Sequence, residues 1–144
     1  MCQLEARDTE RALGPTLASL GASLVVVSHQ ISGLRELQEK YFEGPVYLDS
    51  SKAFFTALGD RMALKTDIAL PEVKAAGKAA FVALKAEDPS YKLSSEGEGA
   101  LLGGSIVFAG KSGAVLLMHR EKVFGDVAQP AALLECIRQS AASI

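Results

Sequence analysis

Cysteine, histidine and long apolar runs are all scarce in this sequence, and each scarcity excludes something. Two cysteines, Cys2 and Cys136, do not make a disulfide framework, so a reducing compartment, the cytoplasm, is the expected setting. Two histidines and two cysteines lie too far apart for zinc-ligand spacing, and no metal site is expected. No apolar run approaches the roughly 20 residues of a membrane span. The amino-terminal stretch MCQLEARDTER is polar and lacks the apolar segment of a secretory signal. A formal net charge of −2 argues against a nucleic-acid platform, which needs a basic face. No Ser-His-Asp set stands out.

What is present suits one globular unit. At 144 residues and 49% hydrophobic, residues 1–144 read as a single domain able to bury a sizeable core. Leu13, Leu17 and Leu20 fall at helical spacing, so residues 4–20 read as an amphipathic helix that Pro15 should bend or break and Gly21 should stop. Residues 23–28, SLVVVS, form a β-branched run with the pattern of a strand buried on both faces. Ser32 is positioned to cap a helix whose face is Leu34, Leu37 and Tyr41, ended by Gly44-Pro45. Val46-Tyr47-Leu48 reads as a short strand, and Asp49 or Ser50 as the cap of a helix carrying Phe54, Phe55 and Leu58, with Gly59 beyond its end. Pro71 and Glu72 open a helix with Val73, Ala76, Ala80, Phe81 and Leu84 on one face, ended by Asp88-Pro89-Ser90. Residues 90–99 read as a polar loop, and a last helix runs from Pro130 to about Gln139 over Leu133, Leu134 and Ile137.

The stretch 96–126 organises the remainder. Ser105–Ala109 and Ala114–Met118 are apolar runs separated by Gly110-Lys111-Ser112-Gly113, the pattern of an antiparallel hairpin. Gly103-Gly104 precedes it, where the backbone can bend or approach a partner closely. His119-Arg120-Glu121-Lys122 follows as a charged run, read as the strand surfacing. Helices alternating with strands and closing on a hairpin and a helix imply a mixed sheet flanked by helices, the arrangement of the thioredoxin fold.

Gly97-Glu98-Gly99, Leu102-Gly103-Gly104 and HREKVFGD at 119–126, together with FEGPVYLD at 42–49, Lys52 and Phe55, resemble the peroxiredoxin-like 2 family, and most its 2A branch. The resemblance spans residues 2 to about 138 and is poorest between 60 and 90. It implies a thioredoxin-like, redox-regulatory or antioxidant protein; a sister branch reduces prostaglandin H-type endoperoxides to F-type products. It also implies a Cys-x-x-Cys motif at the end of a strand, opening the first long helix. Cys2, with Glu5-Ala6 behind it, matches the second cysteine of that motif. The first cysteine and its strand would fall upstream of Met1, so an N-terminally truncated form lacking that central strand is expected. Gly97-x-Gly99 is not a phosphate loop: it lies between glutamates and opens no helix.

Each candidate side chain has a plainer alternative. Cys2 is the candidate catalytic thiol, against an exposed terminal residue. Gly103 and Gly104 are substrate-proximal by resemblance, where thioredoxins carry a cis-proline, against a plain bend. His119 is a candidate proton donor near a thiolate, against a polar strand end. His29 follows a strand and faces the sheet edge where α/β sites lie, against a plain loop position. Cys136 reads as a small buried hydrophobe. The function expected is thiol-based reduction of a peroxide or disulfide, with no bound cofactor and with thioredoxin and NADPH, or another thiol, as reductant. The alternatives are a prostaglandin endoperoxide reductase and a non-catalytic thioredoxin-like binding module.

Overall fold

The leucine stripe near the amino terminus becomes the helix that the other elements pack around. The computed structural model describes residues 2–92 and 100–142, at positions 2 and 142 the backbone alone. Helix α1 runs Cys2–Leu17 and buries Leu13, 1% exposed, and Leu17. Pro15 does not break it. A proline so close to a helix end forfeits a single hydrogen bond, and the chain tightens into a 3-10 turn over Ala18–Leu20. Gly21, at φ 64°, supplies the left-handed stop and donates its N–H to the Ala18 carbonyl.

The expected six-residue strand is shorter and less buried than its composition suggests. Strand β1 spans Val26–Ser28 and pairs in parallel with β2, Val46–Leu48, in the register Val26↔Val46 to Ser28↔Leu48. All three residues of β1 are half-buried and Val25 before it is 43% exposed, because β1 has a strand neighbour on one side only. Between the two strands, α2 covers only Leu34–Glu36. It starts at Gly33, at φ 74°, with no side-chain cap at that boundary where Ser32 was the expected one. It continues as a π-helical turn, Leu37–Tyr41, closed by the Phe42 N–H on the Leu37 carbonyl five residues back. Leu37, Tyr41 and Phe42 are all buried there. Gly44 is required by this packing: a Cβ would lie 2.7 Å from the Phe42 ring and 3.1 Å from the Leu24 carbonyl.

Helix α3, Ala53–Ala57, has the Asp49 carboxylate accepting the Phe54 N–H at 2.9 Å, which bears out Asp49 as a cap although Lys52 sits at the boundary. A short helix, α4, Lys65–Ile68, has no counterpart among the expected elements. Helix α5 is Pro71–Glu87, with proline at its first position and Val73, Ala80 and Leu84 buried. The hairpin follows: β3, Gly104–Phe108, pairs antiparallel with β4, Val115–Arg120, with a register shift between Val107 and Phe108. Helix α6, Pro130–Ala142, closes the chain. The EGEG tract and Gly97-x-Gly99 lie outside the described residues.

The result is a mixed α/β fold of the thioredoxin-like kind. Among the described residues its sheet is two separate pairs, β1 with β2 and β3 with β4. Helix α1 spans the division: Leu13 and Leu17, with Leu133 of α6, pack against Leu24 on one side and Val107 and Leu117 on the other. A second cluster, Leu37, Tyr41, Phe42, Leu84 and Tyr91, takes in Leu4 and Ala6 of the same helix. Among the described residues no helix is long and apolar enough to cross a membrane.

Candidate functional site

Two things converge at the start of α1: the opening turn of a long helix and the open end of the β3–β4 hairpin. Cys2 is the first residue of α1, so it stands at the positive end of a 16-residue helix. Gln3, the next residue, reaches the segment after β1: its Nε2 donates to Glu36 at 3.4 Å and lies 3.9 Å from where a Cβ on Gly33 would be. Glu5 is the acidic residue of the helix's first turn.

The hairpin end is built by Glu121. This residue belongs to the charged run expected at the surface, yet it is only 9% exposed. Its Oε2 accepts the Gly103 N–H at 3.3 Å, and its backbone N–H donates to the Gly103 carbonyl at 3.2 Å. Arg61 donates to the Glu121 carbonyl at 3.2 Å. Strand parity explains the burial: Leu117 and His119 share one face of β4, Glu121 continues their alternation one residue past its end, and Leu117 faces the core. Alternation along the strand is therefore the signal that would have found it.

Glu5 was missed for a related reason. Stepping back by four from Leu17 and Leu13 passes Thr9 and reaches Glu5, so the buried stripe of α1 ends on a carboxyl. Burial pushes the Glu5 carboxyl up to about 7, and the nearby Glu121 charge adds to the effect; the positive charges of the chain's amino group and of His119 oppose it. Burial likewise raises Glu121; the Gly103 N–H opposes the rise, Asp126 adds to it, and His119 opposes it.

His119, on β4, donates from Nε2 to the Asp126 carbonyl at 2.6 Å, with the Asp126 carboxylate 3.6 Å away. A carbonyl only accepts, so the Nε2 proton is committed to this bond. Asp126 in turn accepts the Lys122 N–H at 3.0 Å, which folds the segment after β4 back on itself. Gly103 and Gly104 sit at the start of β3. A Cβ on Gly104 would lie 2.2 Å from the His119 carbonyl oxygen, so glycine is needed for strand pairing itself. Among the described residues there is no cis peptide bond.

The remaining candidates lie elsewhere. His29 stands with Gln30, Ser32, Ser50 and Lys52 around an open cleft of about 420 Å³ beyond the carboxyl ends of β1 and β2. Its ring packs edge-on against Phe55, with centroids 4.6 Å apart. Cys136 is a free, half-buried thiol on α6, more exposed than a small core hydrophobe would be. Among the described residues no group of His, Cys, Asp and Glu is placed to hold a metal ion.

A family described as AhpC/TSA antioxidant enzyme matches residues 10–123, which take in α1 from its third turn, both parallel strands and the hairpin. The chain is 32% identical over 140 residues to peroxiredoxin-like 2A of Mus musculus, covering 96% of this chain and 61% of that protein. It is 33% identical over 141 residues to peroxiredoxin-like 2A of Homo sapiens, covering 96% and 57%.

The chain belongs to the peroxiredoxin-like 2 family.

It is also 34% identical over 137 residues to the Gallus gallus peroxiredoxin-like 2A, covering 94% of this chain and 57% of that one. The chain thus spans about three-fifths of the length of the curated relatives it matches. No solved structure matches it.

Proposed function

We propose that this chain is the core of a thiol-dependent redox protein that reduces a peroxide or a disulfide through Cys2. The observation that supports the proposal is the position of Cys2 as the first residue of the long helix α1, in a chain whose family is described as an antioxidant enzyme. The Cys2 thiolate attacks one oxygen of a peroxide. The O–O bond breaks, the second oxygen leaves and takes a proton, and the sulfur becomes a sulfenic acid. A thiol of an external reductant, of the thioredoxin type, condenses with the sulfenic acid to give a mixed disulfide and water. A second thiol of that reductant then displaces the Cys2 thiolate and leaves as a disulfide, which NADPH reduces through the reductant's own enzyme. A lipid endoperoxide carries the same O–O bond and fits the same first step. Chemistry that cycles through a free thiolate suits a reducing compartment such as the cytoplasm.

The test is NADPH consumption with thioredoxin, its reductase and hydrogen peroxide, compared between this chain and Cys2→Ser. Consumption above the protein-free rate that falls at least tenfold in Cys2→Ser is the expected result. Equal rates for the two proteins would overturn the assignment of Cys2.

A further inference from the structure

We propose that the cleft beyond the carboxyl ends of β1 and β2 binds a short-chain organic carboxylate, its charge at Lys52 and its aliphatic body on Ile31 and Leu48. Two parallel strands end on the same side, so the loops that leave them wall one crevice. That is where α/β sheets take their ligands. Here one wall is residues 29–32 after β1, and the other is Leu48, Ser50 and Lys52 at the end of β2, around about 420 Å³.

Both walls are held in place by their own hydrogen bonds. Ser28 Oγ donates to the Gln30 carbonyl at 2.9 Å and accepts the Gln30 N–H at 3.2 Å. The Asp49 N–H donates to the Ser28 carbonyl at 2.7 Å and ties the second wall to the first. The Lys52 N–H closes the turn on the Asp49 carbonyl at 3.1 Å. Lys52 itself sits at φ 59°, a left-handed backbone that lysine adopts only when its surroundings enforce it. The His29 ring is fixed by Phe55 on its edge and by Gln30 Nε2 at 2.6 Å from its own Nε2. An amide nitrogen only donates, so Nε2 accepts and the neutral ring carries its proton on Nδ1. A cleft with walls held this way loses little freedom on binding.

The chemistry of the lining selects the ligand. Its titratable side chains are Lys52 and His29, and no Asp or Glu is among the described residues that line it. The nearest carboxylate in sequence, Asp49, is turned to the Ser51 hydroxyl at 2.6 Å and the Phe54 N–H at 2.9 Å. The cleft is therefore matched to an anion. It is not matched to a bare one: Ile31 is 75% exposed and Leu48 45% exposed, and both belong to the lining. Exposed aliphatic side chains scattered over a surface are ordinary, but two on one cleft make an apolar wall that an aliphatic body can cover. A carboxylate on a stem of a few carbons satisfies both halves.

The experiment is a titration of the full, nitrogen-15-labelled chain with hexanoate, read by amide chemical shifts. Saturable shifts at residues 29–32 and 48–52 are expected, with half-saturation on the order of 1 mM. Acetate lacks the body and hexanol lacks the charge, so each should bind about fivefold more weakly or worse. Lys52→Gln should weaken hexanoate about fivefold and leave hexanol unchanged. Ile31→Ser, at an exposed position, should weaken both. Should Lys52→Gln lose its dispersed spectrum, Lys52→Gly removes the same charge while relieving the left-handed backbone, and must show the same loss. No saturation by about 20 mM would overturn the proposal. So would shifts centred away from the two walls, or acetate or hexanol binding as tightly as hexanoate. So would a folded Lys52 variant that binds hexanoate like the unaltered chain. None of these readouts involves Cys2, so the outcome is independent of the redox reading.

Discussion

Glu5 makes the stability of the protein depend on pH in a direction opposite to that of most carboxylates. Its ordinary value is 4.5 and burial lifts it to about 7 in the folded state. Below 4.5 the folded and unfolded chains both hold the proton, and pH has no leverage through this group. Between 4.5 and 7 the folded chain keeps a proton that the unfolded chain releases, so stability falls as pH rises, and the loss is complete above 7. The full difference is on the order of 3 kcal/mol. Glu121, also raised, acts in the same sense. Asp88 works the other way: the Lys40 hydrogen bond, then Ser90, lower it to about 2, so its contribution is present above 3.8 and fades only as pH falls toward 2. Urea unfolding is therefore expected to give a higher midpoint at pH 5 than at pH 8. Glu5→Gln should remove most of that difference. A midpoint that rises from pH 5 to pH 8 would show that Glu5 is solvated.

At the scale of elements, the β3–β4 hairpin depends on a missing side chain. The Gly104 position faces the His119 carbonyl at 2.2 Å from a would-be Cβ, with Leu58 Cδ2 at 3.0 Å on the other side. Backbone cannot swing away as a flexible side chain can. Gly104→Ala should cost about 1–3 kcal/mol and disturb the pairing from Gly104↔Arg120 inward, seen as loss of amide protection in Ser105 and His119 under hydrogen exchange. Full protection in the alanine variant would count against this register. The hairpin was plain in the sequence, as were β2, α5 and α6, because strand runs, turn glycines and helix caps are local signals. The capping residue of α2 was not: a π-helical turn arises from burying Leu37, Tyr41 and Phe42 together, which no local pattern announces. β1 was over-read, because a β-branched run looks the same whether one neighbouring strand is present or two. The site was half legible. Cys2, Gly103, Gly104 and His119 were named from the sequence, whereas Glu5 and Glu121 were hidden by their charge, since acidic residues in a polar run read as solvent-facing until strand and helix parity are followed to their ends.

For the whole molecule, the division of the sheet places unusual weight on one cluster. With β1–β2 and β3–β4 unjoined among the described residues, Leu13, Leu17 and Leu133 are what hold the two pairs to a common core. Leu13→Ala should cost about 2–5 kcal/mol, a large share of the 5–15 kcal/mol typical of a domain. Leu133→Ala should be comparable, and the double variant should cost less than their sum, because the two side chains line one cavity. Calorimetric midpoints of the single and double variants test this. Strict additivity would mean that the two leucines do not share a cavity.

The same cluster fixes an order of events during synthesis. Leu13 and Leu17 emerge from the ribosome before either sheet pair, and their partner Leu133 emerges only after both have been made. Until α6 arrives, the apolar stripe of α1 lacks Leu133 and has Leu24, Val107 and Leu117 to cover it. A core completed by a segment so distant in sequence leaves apolar surface open while the earlier elements form, and α6 is the element that covers it.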